Sequence, residues 1–249
     1  MEKIIQSKLA EIEEKENIRI LYAVESGSRA WGFESTDSDY DVRFLYVRPK
    51  EFYLKLENTR DVIEWQLDET LDINGWDLDK LLRLLHRSNP TVYEWANSPV
   101  VYKTSPWFED FKKGINEYFS CRRSLCHYWS MANGNYKGYL KGDVVKLKKY
   151  FYVLRPLLAC RWILDYKSPP PVLFSRLMEA ELEEDIKPLV ESLLVLKRDT
   201  PEIGEGDRIP KLNAYLDRSI MEIKDSISRY PGDSNRPWEP LNRIFLSAF

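Results

Sequence analysis

The 249-residue sequence predicts an α/β chain, of the α+β kind: a small mixed sheet within residues 1–105, then an all-helical part over 106–249. Three observations lead there. Runs of β-branched and aromatic residues with the length of strands fall at 18–24, 40–47, 62–67 and 71–76, and none follows residue 105. Beyond that point apolar residues recur at helical spacing in 106–119, 122–133, 139–167, 172–180, 182–198 and 210–229, parted by Gly, Pro or Asn. A composition 43% hydrophobic and 13% aromatic is rich enough for packed cores and excludes a disordered chain.

The elements follow in order. Residues 3–17 place Ile4, Ile5, Leu9 and Ile12 among Glu and Lys, the pattern of an amphipathic helix. Ile18 to Val24 is a strand, and Ser26-Gly27-Ser28 is a glycine turn. Arg29 to Trp31 starts a short helix that Gly32 ends. After turn residues at 35–38, Tyr40 to Val47 is the clearest strand, closed by Arg48-Pro49. Two weaker strands cover 62–67 and 71–76. A helix begins at Leu78 and stops at Asn89-Pro90. Later, Pro169-Pro170-Pro171 is a rigid turn and 200–207 a polar loop.

Several function classes drop out. A net charge of −3 excludes a uniformly basic nucleic-acid coat, though not a local basic channel. The charged N-terminal segment has no apolar core of a signal peptide, and no apolar run reaches the roughly 20 residues of a membrane span. Cys121, Cys126 and Cys160 are odd in number and lack zinc-site spacing, so they read as reduced thiols of a cytoplasmic protein.

The chemistry concentrates in residues 23–47. Asp39 and Asp41 stand two residues apart at the start of a strand, so their side chains leave one face, with Cα atoms about 7 Å apart. Tyr40, Val42, Phe44 and Tyr46 point the other way, toward a core. Two carboxylates on one face repel unless a cation lies between them. Hard oxygen donors of this kind suit Mg²⁺ or Mn²⁺, and a pair of such ions can clamp both oxygens of a phosphoryl displacement. Upstream, Gly27 and Ser28 follow an apolar strand directly. Backbone N–H groups there, with the Ser28 hydroxyl, make an anion cradle in which glycine lets phosphate approach. Either half alone is common in ordinary loops and strand ends. A cradle ten residues ahead of a carboxylate pair is a joint signal for nucleotide chemistry.

This stretch resembles the DNA polymerase β-like nucleotidyltransferases. They carry Gly-Gly or Gly-Ser, a spacer of about ten residues, then Asp–apolar–Asp/Glu–apolar; Gly27-Ser28 and Asp39-Tyr40-Asp41-Val42 fit, with polar Ser26 a departure. The longer string from Gly27 to Tyr46, with 88–102 and 146–163, is similar to a branch linked to RNA-repair pathways. The resemblance implies a nucleotidyltransferase domain at 1–105 and a helical domain at 106–249 closing the nucleotide cleft. It implies NTP as substrate, two Mg²⁺ or Mn²⁺ ions on Asp39 and Asp41, and β- and γ-phosphates on Gly27 and Ser28, with Arg29 a further contact. It also implies a third carboxylate flanked by apolar residues on a neighbouring strand. Asp77 and Asp72 both fit; the strand-to-helix order favours Asp77, which fits a helix N-cap equally well.

On the helix after residue 146, Lys148, Tyr152 and Arg155 fall on one polar stripe. The stripe reads either as a solvated face or, given the resemblance, as a grip on the triphosphate. Arg43, on the face of the two aspartates, reads either as a further triphosphate contact or simply as a balance for their charge. The branch suggests an RNA end as acceptor; a small molecule or protein side chain, or a nucleotide sensor without turnover, are the rivals.

Overall fold

The computed structural model describes residues 1–36, 38–57, 59–68, 70–199, 204–232 and 236–249. Helix α1 (Glu2–Glu16) turns Ile5, Leu9 and Ile12 inward and ends at Asn17, whose φ of 50° is left-handed. Strand β1 (Arg19–Glu25), the one-turn helix α2 (Gly27–Trp31) and strand β2 (Tyr40–Val47) follow. After a 3₁₀ turn at Lys50–Leu54 come β3 (Val62–Asp68), β4 (Leu71–Asp77), α3 (Leu78–His86), α4 (Pro90–Ala96), β5 (Val101–Lys103) and α5 (Pro106–Gly114). The sheet order is β3-β4-β2-β1-β5, with β2 and β4 parallel and the other pairs antiparallel. The mixed α/β class expected from the sequence is therefore found.

The alternation of β2 sorts the two faces. Val42, Phe44 and Tyr46 are fully buried with Ile73 of β4 and with Ile5, Leu9 and Ile12 of α1. The opposite face carries Asp41, Arg43 and Leu45, and its far half is roofed by helices: Phe108 of α5 stacks on Tyr22 at 3.5 Å, and Trp95 of α4 meets Trp76 at 4.0 Å. Gly75 is required by close approach, because a Cβ there would stand 2.2 Å from the Phe44 ring.

The chain does not divide at residue 105. One compact unit holds Met1–Ala30, Asp39–Tyr118 and Asn235–Phe249; the other holds Trp31–Ser38 and Phe119–Ser234. Helix α5 stays with the first unit through Phe108. The second unit contains α6 (Cys121–Tyr139), β6 (Val144–Lys146), α7 (Lys149–Tyr166), α8 (Phe174–Glu181), α9 (Lys187–Asp199), β7 (Glu205–Asp207) and α10 (Pro210–Arg229). It is not all-helical: β6 and β7 pair as a short antiparallel ribbon. β6 takes the first part of the helix expected over 139–167, which starts only at Lys149, and the loop expected at 200–207 keeps only 204–207 within the described residues. The chain then returns to the first unit as α11 (Glu239–Leu246), which contacts α3 and sets Phe245 5.1 Å from the Tyr53 ring. No described helix is long and apolar enough to cross a membrane.

One expected ligand needs correction here. Asp77 is the N-cap of α3: its Oδ1 accepts from the Asp79 N–H at 2.9 Å, and both its oxygens accept from the Tyr53 hydroxyl at 3.0 Å. It is 2% exposed, and burial pushes its carboxyl up from 3.8 to about 6. Five residues separate it from Asp72, an odd number that sends the two side chains to opposite faces and sets them about 16 Å apart along β4. Asp77 thus faces away from Asp41.

Two outcomes follow for stability. Gly75→Ala should destabilise by at least the roughly 1–3 kcal/mol of an overpacked core, since the Phe44 ring must shift; an unchanged Tm would contradict this. For Asp77, a folded-state pKa above the unfolded one means the native state holds the extra proton between about pH 4 and pH 6. Its contribution is full below that window and lost as pH rises through it. Asp77→Asn keeps the cap without the charge, so it should match the wild type near pH 4 and exceed it in Tm at pH 7. Parallel pH–Tm curves would show that the carboxylate carries no such penalty.

Candidate active site

After the exposed Arg19, strand β1 is buried and largely apolar up to its last residue, Glu25, and the chain then needs a reversal that Gly27 supplies at φ +60°. A second constraint acts at the same position. A Cβ on Gly27 would stand 2.1 Å from Asp41 Oδ2, so the turn and the carboxylate are packed together. Ser28 and Arg29 follow in the single turn of α2. The Arg29 Nε donates to the Asp39 carbonyl at 3.1 Å, and its guanidinium lies 3.8 Å over the Tyr40 ring.

Asp39, exposed, precedes β2, and Asp41 lies on the strand. In the parallel β2–β4 register Asp41 is level with Asp72, which makes Asp72 the carboxylate beside it. Arg43 joins the two: its Nη2 donates to Asp41 Oδ1 at 2.9 Å and to Asp72 Oδ2 at 2.8 Å, and its Nη1 to the Asp72 carbonyl at 3.1 Å. The charge-balancing role expected of Arg43 is therefore seen in the geometry. Burial pushes the Asp41 carboxyl above its usual range; Arg43 pulls it down, while Asp72 and Asp39 push it further up. Among the described residues no group of three or more His, Cys, Asp or Glu side chains is already arranged around a metal position. The donors fit a hard cation in kind, being carboxylate oxygens only, and the space between Asp41 and Asp72 is filled by the Arg43 guanidinium.

Gly27, Ser28, Arg29, Asp39 and Asp41 thus lie in one unit around one turn and one strand end. Asp77 does not join them. Lys148, Tyr152 and Arg155 belong to the second unit. There Lys148 precedes α7 and is half-buried, and Tyr152 is exposed at 38%. Arg155 is only 3% exposed, with its guanidinium 4.4 Å over the Trp31 ring, so the stripe is not a solvated face along its length. The same unit has a cleft of about 390 Å³ floored by Phe33, Phe174, Met178 and Leu194, which none of these three residues lines.

Asp72 is the alternative that the sequence offers beside Asp77, whereas Glu25 carries no expectation from the sequence. Glu25 is 1% exposed; its Oε1 accepts from the Asp41 N–H at 2.7 Å and its Oε2 from the Tyr102 hydroxyl. Burial raises its carboxyl above the usual range, opposed by those two hydrogen bonds. An acid ending an otherwise apolar strand, next to a glycine turn, was the available signal.

Comparison with known proteins identifies the family. Residues 1–247 match RlaP, the RNA repair pathway DNA polymerase beta family. The Bacillus subtilis (strain 168) protein described as "Uncharacterized protein YcgL" is 43% identical over 250 residues, spanning 100% of this chain and 96% of that one. The crystal structure of a nucleotidyltransferase-like protein from Exiguobacterium sibiricum 255-15 aligns with a TM-score of 0.33 and 14% identity, over 90% of this chain and 74% of the other. A likeness that slight bears on neither fold nor site. The match over nearly the whole length places the chain in the RNA repair pathway DNA polymerase beta family, which suggests a polymerase β-like nucleotidyltransferase.

Proposed function

We propose that the protein transfers a nucleoside monophosphate from an NTP to a hydroxyl at an RNA end, releasing pyrophosphate. The observation that carries this is the packing of Asp41 Oδ2 against Gly27, where a Cβ would come within 2.1 Å. A glycine turn and a strand carboxylate held that closely form one site rather than two unrelated features. The family's link to RNA repair supports RNA as acceptor, and the free cysteines suit a cytoplasmic setting.

In this reading Asp39, Asp41 and Asp72 hold two Mg²⁺ or Mn²⁺ ions. Bound there, the ions neutralise the triphosphate and polarise the acceptor hydroxyl. The Gly27 backbone admits the β- and γ-phosphates, and the Ser28 hydroxyl and Arg29 guanidinium donate to them. Arg43, which bridges Asp41 and Asp72, would share these carboxylates with the ions and supply positive charge beside them. The acceptor oxygen bonds to the α-phosphorus as the bond to the bridging oxygen breaks, and pyrophosphate leaves with that electron pair. Asp72 takes the acceptor proton. Positioning and charge neutralisation do the rest, so no His or Cys nucleophile is needed.

The test is incubation with each labelled NTP and Mg²⁺ against RNA ends, proteins and small-molecule acceptors. Label on RNA supports the reading; label only on protein or a small molecule moves the acceptor to that class; NTP binding indifferent to metal, with no transfer, removes the enzyme assignment. Asp41→Asn makes the sharpest variant. Burial makes the ionised Asp41 costly, so removing its charge should leave Tm equal or slightly higher without metal. Transfer should fall by about 10²–10³-fold or more, the scale for losing one preorganised electrostatic contact. A variant that unfolds readily yet turns over normally would make Asp41 a scaffold residue.

Lys148 remains a candidate triphosphate contact. Lys148→Ala should weaken NTP binding by about 1–3 kcal/mol, the usual scale for a charge-assisted hydrogen bond. Arg155→Ala should instead lower Tm, because it empties a buried position over Trp31. Unchanged NTP affinity in a folded Lys148→Ala protein would return that lysine to a solvated role.

A further inference from the structure

A buried carboxylate is stable only when its oxygens find donors. Glu25 commits both: Oε1 to the backbone N–H of Asp41 at 2.7 Å and Oε2 to the Tyr102 hydroxyl on β5. Its own backbone is fixed as well. The Glu25 carbonyl accepts from the Ser98 hydroxyl at 2.6 Å, and its N–H donates to the Val100 carbonyl at 3.0 Å. The next residue, Ser26, donates its N–H to the Asp41 carbonyl at 2.8 Å. Both backbone polar groups of Asp41 are therefore tied to the two residues that immediately precede Gly27.

The sheet itself does not call for this acid. Glu25 lies opposite Val42 at the end of the β1–β2 ladder, where an apolar residue would continue the run of β1 without the desolvation of a charge. What the carboxylate adds is a fixed distance between the end of β1 and Asp41. In that arrangement Asp41 Oδ2 rests against Gly27.

We propose that Glu25, held in place by Tyr102, is a positioning residue that sets the Asp41 carboxylate against the Gly27 turn and thereby sets the affinity of the site for a divalent cation. It rests on Asp41 being a metal ligand. Partners that orient a ligand from behind typically change metal affinity by about 10–100-fold when removed, the scale expected here. Glu25→Gln keeps the shape and loses one acceptor and the charge. Tyr102→Phe keeps both charges and loses only the hydroxyl that anchors Glu25, so it separates positioning from a simple change of field.

The experiment is Mn²⁺ titration of the full chain, followed by electron paramagnetic resonance of free Mn²⁺, with Tm measured on each protein. Asp41→Asn should bind Mn²⁺ far more weakly than wild type. Glu25→Gln and Tyr102→Phe should each weaken binding about 10–100-fold, and the double variant should be no weaker than Glu25→Gln alone, because both act through one bond. Tyr53→Phe, which removes a buried hydrogen bond at the opposite end of β4, should lower Tm without moving Mn²⁺ affinity. If Asp41→Asn binds as wild type does, the metal reading fails and this proposal with it. If Asp41→Asn loses Mn²⁺ while folded Glu25→Gln and Tyr102→Phe bind as wild type does, the proposal alone is overturned. Should Glu25→Gln not fold, Tyr102→Phe decides the matter by itself.

Discussion

The approach of Asp41 to Gly27 is the contact around which the first unit is arranged. It forbids a side chain at position 27, where the chain reversal independently takes a left-handed backbone, beside the paired ends of β1 and β2. The rest of that unit is arranged to make the approach possible. Helix α1 buries one face of the sheet, and α4 and α5 roof the far half of the other, leaving the Asp41 end open enough for chemistry. Sheet register then sets Asp72 level with Asp41, which the flanking pattern of Asp72 alone does not specify.

Putting carboxylates together in a half-buried place runs against stability, and the balance can be followed at Asp41. Burial is the largest influence on its ionisation and Arg43 is the next, working in the opposite sense. Two charges 4 Å apart interact by about 4 kcal/mol near a protein surface, so one well-placed guanidinium offsets much of the repulsion from Asp72 and Asp39. It does not offset all of it, since the Asp41 carboxyl stays above its ordinary range. The ionised Asp41 is thus held at a cost that Arg43 offsets only in part.

How much of this was legible in sequence depended on how local the cause was. The amphipathic α1, the glycine turn and the Asp-Tyr-Asp strand are all encoded within a few residues of themselves, and each was read from its own pattern. Asp72 and Asp77 share the same flanking pattern, an aspartate between apolar residues on one strand. What separates them is pairing with β2, thirty residues earlier in the chain, together with the odd spacing that turns Asp77 to the other face. Arg155 shows the same limit: a helical wheel put it on a polar stripe, but the turn of α7 around it is buried and its partner is Trp31. Short elements such as β5, the β6–β7 ribbon and α11 were missed because pairing or packing, more than propensity, makes them.

Glu25 belongs to an intermediate case that has wider use. Ile20 to Val24 before it are all buried, so a charged residue closing that run is a local inconsistency. Such conflicts persist only when something else stabilises them, and they gather near functional sites. Here the compensation is shared by three distant groups: the Asp41 N–H, the Tyr102 hydroxyl and the Ser98 hydroxyl that holds the adjoining carbonyl. The conflict could be seen in the sequence, whereas its resolution could be seen only once β2 and β5 were placed on either side of β1. An acid that breaks an apolar strand next to a phosphate-type turn is therefore better read as a positioning group awaiting its partners than as a frayed strand end.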